Sequence, residues 1–422
     1  MHLSSLVIWI AIACAGFGTI INPLIGVVTY YVLSFWRPQD IYHWSLSGSR
    51  MSYIIALITI ISFIIHRDKR STTKETIKSE GYLMFLFWIA VFISYLASPV
   101  KLISWPIFLV FSKIVLFFYI ASMIVTDMKK MRVMMWIPVI CFGILAIRGN
   151  YQYFFEGYHN IEGPGLGGAT YRDNNTFAML FVLAIPYCFY LPFVEKKLYI
   201  KIALWAMVPV MIHAVILTYS RGGFLGMAMV LAISALLTRK KWVGIFLGTL
   251  MLLAVLRLWG VESHERIGTV FVDPEERDAS TKGRIEAWKA GYKMMMAHPL
   301  TGVGLNNFER VAKYYNPHSA ARVAHNTYLQ IGGEAGIIAF AALIILVVIS
   351  VYDMYKIHLK TRKIPESDSI FNYSTILFIS MCGYIVCSMF LSLELLEPFY
   401  YNICLIMILK RIYLDEQIKH ED

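Results

Sequence analysis

The stretch GIIAFAALIILVVISVY, residues 336–352, carries no charged side chain. The longer segment 328–352, at a rise of 1.5 Å per residue, is long enough as a helix to cross the ~30 Å hydrocarbon core of a bilayer. Similar apolar runs recur along the chain, and 58% of its 422 residues are hydrophobic, above the apolar share of a soluble domain. The sequence therefore predicts an integral membrane protein with many spans.

The apolar runs are continuous and do not alternate with period two, which favours helices over a transmembrane barrel. About 12 or 13 spans are expected, and the number depends on residues 5–35. Asn22 and Pro23 interrupt that run, which fits either a helical hairpin or a kinked helix. The predicted fold class is all-α, a polytopic transmembrane helix bundle with one large outward loop that contains short helices. The later predicted spans are 52–66, 82–97, 101–126, 132–149, 174–194, 199–218, 222–237, 242–260, 328–352, 370–393 and 396–412.

The chain divides into transmembrane helices over 1–260, an outward loop over 261–327, further transmembrane helices over 328–413 and a tail over 414–422. A Gly-rich segment near 151–173 is also expected to face outward. All six cysteines lie inside apolar runs, where they form neither a disulfide framework nor a zinc pattern.

Basic residues collect at one set of helix ends, which the positive-inside rule assigns to the cytoplasm. The large loop then faces the periplasm, and the tail is cytoplasmic. The formal net charge of +11 reflects this topology and contact with anionic lipids, so nucleic-acid binding is a poor interpretation of it. The basic clusters are Arg67–Arg70, Lys129–Arg132, Lys196–Lys197, Arg239–Lys241, Lys356–Lys363 and Lys410–Arg411.

The outward loop contains one strong helix signal, GRIEAWKAGYKMMMAHP, which follows the N-cap candidates Ser280 and Thr281 and ends before Pro299. Such a helix is expected to lie at the membrane interface. Around it lie three further arginines of the loop and a turn containing Gly302, Gly304, Asn306 and Asn307. The apolar face of the helix is predicted to consist of Ile285, Trp288, Tyr292 and Met295, and the further arginines are Arg266, Arg310 and Arg322.

Arg284 lies one turn before Trp288, near the start of this helix. A guanidinium beside unpaired helix amides makes an anion site. The alternative is a solvated arginine paired with Asp278 or Glu286.

Arg221 begins another predicted span directly after Ser220, where a guanidinium is costly unless it has an anionic partner. The alternative is a snorkelling helix end packed through Gly222 and Gly223. Before a neighbouring span, segment 148–176 contains further polar side chains and four glycines that suggest a flexible backbone. The polar side chains are Arg148, Arg172, Asp173, Asn174 and Asn175, and the glycines are Gly163, Gly165, Gly167 and Gly168.

His325 lies at the end of the outward loop, where a helix containing Tyr328 is predicted to enter the membrane. With an unperturbed pKa of about 6.5, an imidazole can accept a proton near neutral pH. A structural hydrogen bond is the alternative role for such a histidine. Glu334, about two turns further in, is costly there unless it is protonated or paired, and it could orient a partner.

Four motifs in order, SRGG at Ser220, GRIEAW at Gly283, HPLTGVGLNNF at His298 and HNTYLQIGGEAG at His325, resemble the O-antigen ligase and O-antigen polymerase superfamily. The resemblance covers roughly 173–336. The amino-terminal sequences NPLIGVV and SFWRPQDIY further resemble the ligase subgroup associated with exosortase or exopolysaccharide loci.

This resemblance implies a bacterial inner-membrane glycosyltransferase of lipopolysaccharide or related biosynthesis. It would transfer a glycan from undecaprenyl pyrophosphate to an acceptor hydroxyl on lipid A core, a glycan or a protein. In the family the transfer is inverting and metal-independent, and no cofactor is expected. Arg221 and Arg284 are implied to bind the donor pyrophosphate, and His325 is implied to be the catalytic base. Residues expected to support them are Ser220, Asn326, Glu334, Arg172, Asp173, Asn175 and Tyr328.

Two other functions remain open at this point. A polymerase of the same superfamily would use the same donor with a growing glycan as acceptor. A transporter of lipid-linked glycans could also bind pyrophosphate through arginines, but it should place polar groups near the bilayer midplane, whereas here the charges cluster at the outer ends.

Overall fold

A computed structural model describes residues 3–66, 78–164, 171–238, 248–249, 279–319, 323–364, 368–392 and 396–421. Helices dominate this part of the chain, and it contains no strand. The prediction of an all-α polytopic bundle is therefore confirmed. The helices are α1 (Leu3–Ile21), α2 (Pro23–Trp36), α3 (Pro38–Ile41), α4 (His43–Leu46), α5 (Met51–Ile65), α6 (Ser79–Ala97), α7 (Lys101–Ile124), α8 (Met128–Phe155), α9 (Asn174–Val194), α10 (Leu198–Leu217), α11 (Arg221–Leu237), α12 (Ala279–Ala297), α13 (Phe308–Tyr315), α14 (Thr327–Thr361), α15 (Asp368–Ser388) and α16 (Glu397–Glu421).

Seven of the described helices are long and apolar enough to cross a membrane, and three shorter apolar helices accompany them. A helix occupies every predicted span except 242–260, of which the structure describes only residues 248–249, and loop residues 261–278 lie outside the described residues. The expected total of about 12 or 13 spans stays a prediction.

The amino-terminal run forms two helices that meet at Asn22. The Asn22 side chain accepts a hydrogen bond from the Leu24 amide at 3.0 Å and caps α2, and Pro23 occupies the first helical position. A β-carbon on Gly26 would lie 2.5 Å from Thr19, a contact that a continuous helix could not make across seven residues. The two helices therefore fold back on each other, and the hairpin is the correct alternative.

The core of the bundle is α9, which packs against α8, α10, α11 and α15. In α9, 89% of the residues in an apolar stretch of 18 residues are buried inside the protein. Close helix approach depends on small residues, as is common in membranes. A β-carbon on Gly226 of α11 would lie 2.3 Å from the Cys387 sulfur of α15.

Basic residues from distant helices meet at one end of the bundle. Lys410 of α16 forms ion pairs with Glu80 of α6 and Asp353 of α14, and Arg132 of α8 pairs with Glu195 at the end of α9. We call this the basic end, and we call the opposite end, where α9, α11 and α14 begin, the outer end. The grouping agrees with the charge pattern of the sequence, while the assignment of the two ends to cytoplasm and periplasm stays a prediction.

Helix α14 is not continuous, contrary to the expectation of one helix entering the membrane at His325. Gly336 interrupts it with φ of +82°, a conformation that favours glycine. The Ile337 amide donates to the Pro299 carbonyl at 2.7 Å, and the Gly304 amide donates to the Glu334 carbonyl at 3.0 Å. The segment before the break is therefore a short helix held by the outward loop, and the apolar run begins after it.

Candidate functional site

The start of α11 is fixed to the start of α9. Ser220 caps α11, because its Oγ accepts a hydrogen bond from the Gly223 amide at 3.0 Å. The same hydroxyl donates to Oδ1 of Asn175 at 2.7 Å. Arg221 is the first residue of α11, and its side chain is exposed. The predicted polar residues Ser220 and Asn175 therefore act together in placing Arg221 at the outer end.

The start of α9 is itself well anchored. Asp173 caps α9 by accepting hydrogen bonds from the Thr176 amide at 2.8 Å and the Thr176 hydroxyl at 3.0 Å. Asn174 donates to the Thr218 carbonyl at 3.0 Å. Arg172 instead lies 3.7 Å from Glu162, and both side chains are about half exposed. Asp173 thus supports the local fold, and Arg172 points towards the segment that follows α8.

The segment 157–164 that follows α8 is packed where the structure describes it. The Ile161 amide donates to the Leu217 carbonyl at 3.1 Å, and the Ile161 side chain is buried. A β-carbon on Gly163 would lie 1.8 Å from the Tyr171 carbonyl oxygen, so glycine is needed there for close packing. The expected flexibility is therefore wrong for Gly163, while Gly165, Gly167 and Gly168 lie outside the described residues.

The start of α14 is held by the segment that follows α15. The Asn326 side chain caps α14 by accepting from the amides of Tyr328 and Leu329, and it donates to the Met389 carbonyl at 3.3 Å. The Thr327 hydroxyl donates to the Leu391 carbonyl at 2.7 Å. The Ser388 hydroxyl donates to the Tyr328 hydroxyl at 2.8 Å. Asn326 and Tyr328 both fix the position of the chain that directly follows His325.

His325 has a left-handed backbone conformation, with φ of +49°, and its side chain is partly buried. Such a conformation is uncommon for a residue other than glycine, and surrounding structure must impose it. On one side Asn326 is bound to Met389. On the other side the Ala324 amide donates to the Gln330 side chain at 2.9 Å. His325 is thus placed between two anchored neighbours.

The starts of α11 and α14 meet at the end of α15. A β-carbon on Gly222 would lie 2.9 Å from Cβ of Phe390, and the Cys387 thiol lies 3.6 Å from the Gly222 carbonyl. Met389, which accepts the bond from Asn326, is next to Phe390 in the chain. Arg221 and His325 therefore lie on either side of one short segment, although they are distant in sequence.

Helix α12 joins the same end of the bundle through its contact with α14. The Trp288 indole donates to the Ala324 carbonyl at 2.9 Å, directly before His325. Arg284 lies one turn before Trp288 on α12 and is partly buried. It lies at least five residues inside the helix, so the unpaired amides expected beside it belong to earlier residues. The structure thus brings Arg284 towards the His325 region through Trp288.

The predicted end of α12 before Pro299 agrees with the structure, but the helix begins at Ala279, before the N-cap candidates Ser280 and Thr281. Its predicted apolar face is only partly correct. Tyr292 is 55% exposed, whereas Met295 is buried. The buried stripe lies one position away and consists mainly of small residues, because α12 packs closely on α13 and α14. A β-carbon on Gly291 would lie 2.9 Å from the Phe308 ring and 3.1 Å from the Leu329 carbonyl. The buried stripe is Ala287, Ala290, Gly291 and Met294.

Glu334 is buried and binds the outward loop. Its carboxylate accepts hydrogen bonds from the Asn306 amide at 2.8 Å, the Phe308 amide at 3.1 Å and the Gln330 side chain at 2.7 Å. These donors offset the cost of a buried carboxylate. Glu334 therefore orients Gln330, which in turn binds the Ala324 amide beside His325.

Two residues near the site had escaped the sequence analysis. Gln330 links Glu334 to Ala324, and Tyr219 precedes Ser220 with φ of +53° and a half-exposed ring. A polar residue within a helical stripe and a left-handed tyrosine leave no distinct pattern in the sequence. Their contribution depends on contacts with distant segments.

Glu286 of α12 carries a pKa below its usual value, because Lys289 donates a hydrogen bond to it and Asn316 donates a second one. Asn316 also donates to the Glu286 carbonyl at 2.9 Å, which links α12 to the residue after α13. The carboxylate considered as an alternative partner for Arg284 is thus bound by these two residues. Asp278, the other alternative, lies outside the described residues, as do Arg266 and Arg322.

Metal-ligating side chains do not gather in the described segments: no group of three His, Cys, Asp or Glu residues there could hold a metal ion. The expectation of metal-independent chemistry stays a prediction.

Comparisons with known proteins divide the chain into two parts. Residues 202–344 match the family described as O-antigen ligase, and residues 3–196 match a family of unknown function. No curated protein matches the chain. The first match contains Arg221, Arg284 and His325. The expected exosortase-associated subgroup is not identified by either match and stays a prediction.

Proposed function

We propose that this multi-pass chain, whose residues 202–344 match the O-antigen ligase family, transfers a glycan from undecaprenyl pyrophosphate to an acceptor hydroxyl. The acceptor would be lipid A core, another glycan or a protein. The reaction would take place on the periplasmic side of the bacterial inner membrane, without a metal and with inversion at the anomeric carbon.

The observation that carries this proposal is that the starts of α11 and α14 and the turn of α12 that carries Arg284 meet at the outer end. Phe390 packs on Gly222 beside Arg221, and its neighbour Met389 accepts a bond from Asn326 beside His325. Trp288 brings the turn that carries Arg284 to Ala324. A common substrate can contact all three segments because the end of α15 joins the two helix starts and Trp288 joins α12 to them.

Arg221 and Arg284 would bind the donor pyrophosphate. Cleavage of a glycosyl phosphate bond builds negative charge on the pyrophosphate leaving group, and fixed guanidiniums stabilise that charge. Arg221 also lies at the positive end of the α11 dipole, where anions are favoured. The exposed apolar surfaces of the bundle suit the polyprenyl tail, and the outward loop suits the glycan.

His325 would take the proton from the acceptor hydroxyl as that oxygen attacks the anomeric carbon. A general base must hold its position relative to the proton that it removes. The bonds made by Asn326 and by Ala324 fix the backbone on both sides of His325, which supports this role. Glu334 and Gln330 would act as positioning residues.

The test is a reconstituted transfer assay with an undecaprenyl-pyrophosphate-linked oligosaccharide and no ion gradient. Transfer to lipid A core or protein would indicate a ligase, and extension of the lipid-linked glycan would indicate a polymerase. Transport of the donor without formation of a glycosidic bond would contradict the proposal. Loss of transfer in Arg284→Ala and retention in Arg310→Ala, an exposed arginine of the same outward loop, would support it.

A further inference from the structure

A polar cavity lies at the outer end, in the part of the chain that matches a family of unknown function. Its volume is about 190 Å³, and it lies between the segment 37–50 and the outer end of α8. The cavity has room for one sugar ring and is smaller than the ~300 Å³ at which pockets for drug-sized ligands begin. The side chains that give it chemical character are Asp40, His43, Trp44, Arg148, Gln152 and Glu162.

The walls of this cavity are well supported. Arg37 forms an ion pair with Asp40, and its guanidinium carbon lies 5.4 Å from the centre of the Tyr171 ring. The carbonyl of Tyr171 packs against Gly163, which also lines the cavity. Contacts thus hold together the three chain segments that contain Arg37, Gly163 and Tyr171. The cavity is therefore formed by packed parts of the fold.

The lining combines hydrogen-bond donors, acceptors and an aromatic surface. Asp40 and Glu162 offer carboxylate acceptors, and Gln152 offers both a donor and an acceptor. Arg148 lines the same space and offers guanidinium donors. A pyranose presents many hydroxyls around an apolar ring face, so it needs this mixture of partners.

An aromatic platform completes the arrangement. The Trp44 side chain is 58% exposed, and its ring centre lies 5.1 Å from that of His43 in an edge-to-face geometry. The exposed indole offers an apolar surface on which the apolar face of a sugar ring can pack.

The cavity also lies close to the proposed transfer site. Phe177 of α9 forms part of the lining, and Asn175, two residues earlier, accepts the hydrogen bond from Ser220. Only two residues of α9 therefore separate the cavity lining from the residue that binds the cap of the helix that carries Arg221. A glycan with its diphosphate or its acceptor oxygen near Arg221 could extend one ring into this space.

We propose that this cavity is a saccharide subsite that binds one hydroxyl-rich pyranose ring of a glycan substrate. The assignment rests on the proposed glycosyl transfer for its biological role. The ring could belong to the donor glycan or to the acceptor, since both present the same chemistry.

Direct binding tests the subsite without turnover. The full chain in lipid nanodiscs is titrated with the methyl glycosides of glucose, galactose, N-acetylglucosamine and glucuronic acid, and saturation-transfer NMR reports binding. At least one glycoside should bind saturably, and Trp44→Ala and Gln152→Ala should each weaken its binding at least tenfold. Absence of saturable binding of all four, or unchanged binding in both variants, would overturn the proposal.

The matched control for Trp44→Ala is Tyr158→Ala, which removes from the segment 157–164 an aromatic ring that is 54% exposed but does not line the cavity. This variant should bind the glycoside as the unaltered protein does. If Trp44→Ala or Gln152→Ala fails to fold, Arg148→Gln provides the same measurement with a change of similar size.

Failure of the subsite and failure of the proposed transfer can be distinguished. Arg284→Ala should lose transfer while keeping glycoside binding, because Arg284 is not part of the cavity. Glycoside binding without any transfer by the unaltered protein would overturn the transfer reaction alone. In the transfer assay, a raised KM for the donor in Trp44→Ala assigns the ring to the donor glycan, and a raised KM for the acceptor assigns it to the acceptor.

Discussion

The starts of α11 and α14 are built alike but place their functional side chains differently. In each, a residue with positive φ, Tyr219 or His325, precedes a polar cap, and the end of α15 contacts both. Arg221 follows its cap and is exposed, whereas His325 precedes its cap and is partly buried. The difference suits a flexible group that binds a diphosphate and a fixed group that moves a proton.

The largest expected effect is on turnover in His325→Ala. Loss of a general base lowers kcat by typically 10²–10⁴-fold, while donor binding is retained because the guanidiniums remain. Initial rates and donor binding measured on the same preparation check this. His318→Ala, an exposed histidine near the end of the same outward loop, is the control and should remain active. Normal turnover in His325→Ala would show that His325 is not the general base.

A smaller effect is expected on donor binding in Arg221→Ala and Arg284→Ala. A hydrogen bond to a charged group contributes ~1.5–3 kcal/mol, so each variant should weaken donor binding roughly 10- to 100-fold. Donor affinity of each variant is measured with the undecaprenyl-pyrophosphate-linked glycan. Arg310→Ala is the control. Unchanged affinity in Arg221→Ala would show that the start of α11 does not bind the diphosphate.

The two caps should differ in what they stabilise. Ser220→Ala and Asn326→Ala each remove a helix cap that is worth about 1 kcal/mol, and Asn326→Ala also loses the bond to Met389. Asn326→Ala should therefore lower the apparent melting temperature more and should reduce kcat without changing donor affinity. Ser220→Ala should mainly weaken donor affinity. A lower kcat in Ser220→Ala together with a lower donor affinity in Asn326→Ala would contradict the comparison between the two helix starts.

The smallest expected effect concerns the attachment of α12. Lys289 and Asn316 hold the pKa of Glu286 below its usual value of 4.5. A pKa that is lower in the folded state adds stability at pH above the unfolded value, and this stability is lost as the pH falls through the folded value. Glu286→Gln should melt slightly below the unaltered protein at pH 7, and the difference should disappear at strongly acidic pH. An equal difference at both pH values would contradict the ionic origin of this contact.

Much of the helical framework could be predicted from the sequence because its signals are local. Apolar length predicts α9 and α15, and the stop at Pro299 predicts the end of α12. The buried face of α12 could not be predicted in the same way. Gly291 and its alanine neighbours become buried because α13 and α14 approach them, and this approach is a property of the partner helices.

The candidate site, too, could be predicted from the sequence only where its signals are local. The motifs identified Arg221, Arg284 and His325 as a set, since charged and titratable residues at the ends of apolar helices are costly and therefore conspicuous. Their grouping at one end depends on Phe390 packing on Gly222 and on Asn326 binding Met389, contacts between segments far apart in sequence. Gln330 and Tyr219 were overlooked for the same reason.

By itself, the amino-acid sequence determined that this chain is a helical membrane protein, where most of its long helices begin, and which motifs resemble the O-antigen ligase family. Each of these properties follows from hydropathy, capping and charge within a short window. Only the tertiary structure decided that α14 breaks at Gly336, that Glu334 binds the outward loop, and that three helix starts share one end. Those features arise from hydrogen bonds and close packing between distant segments, which no local pattern contains.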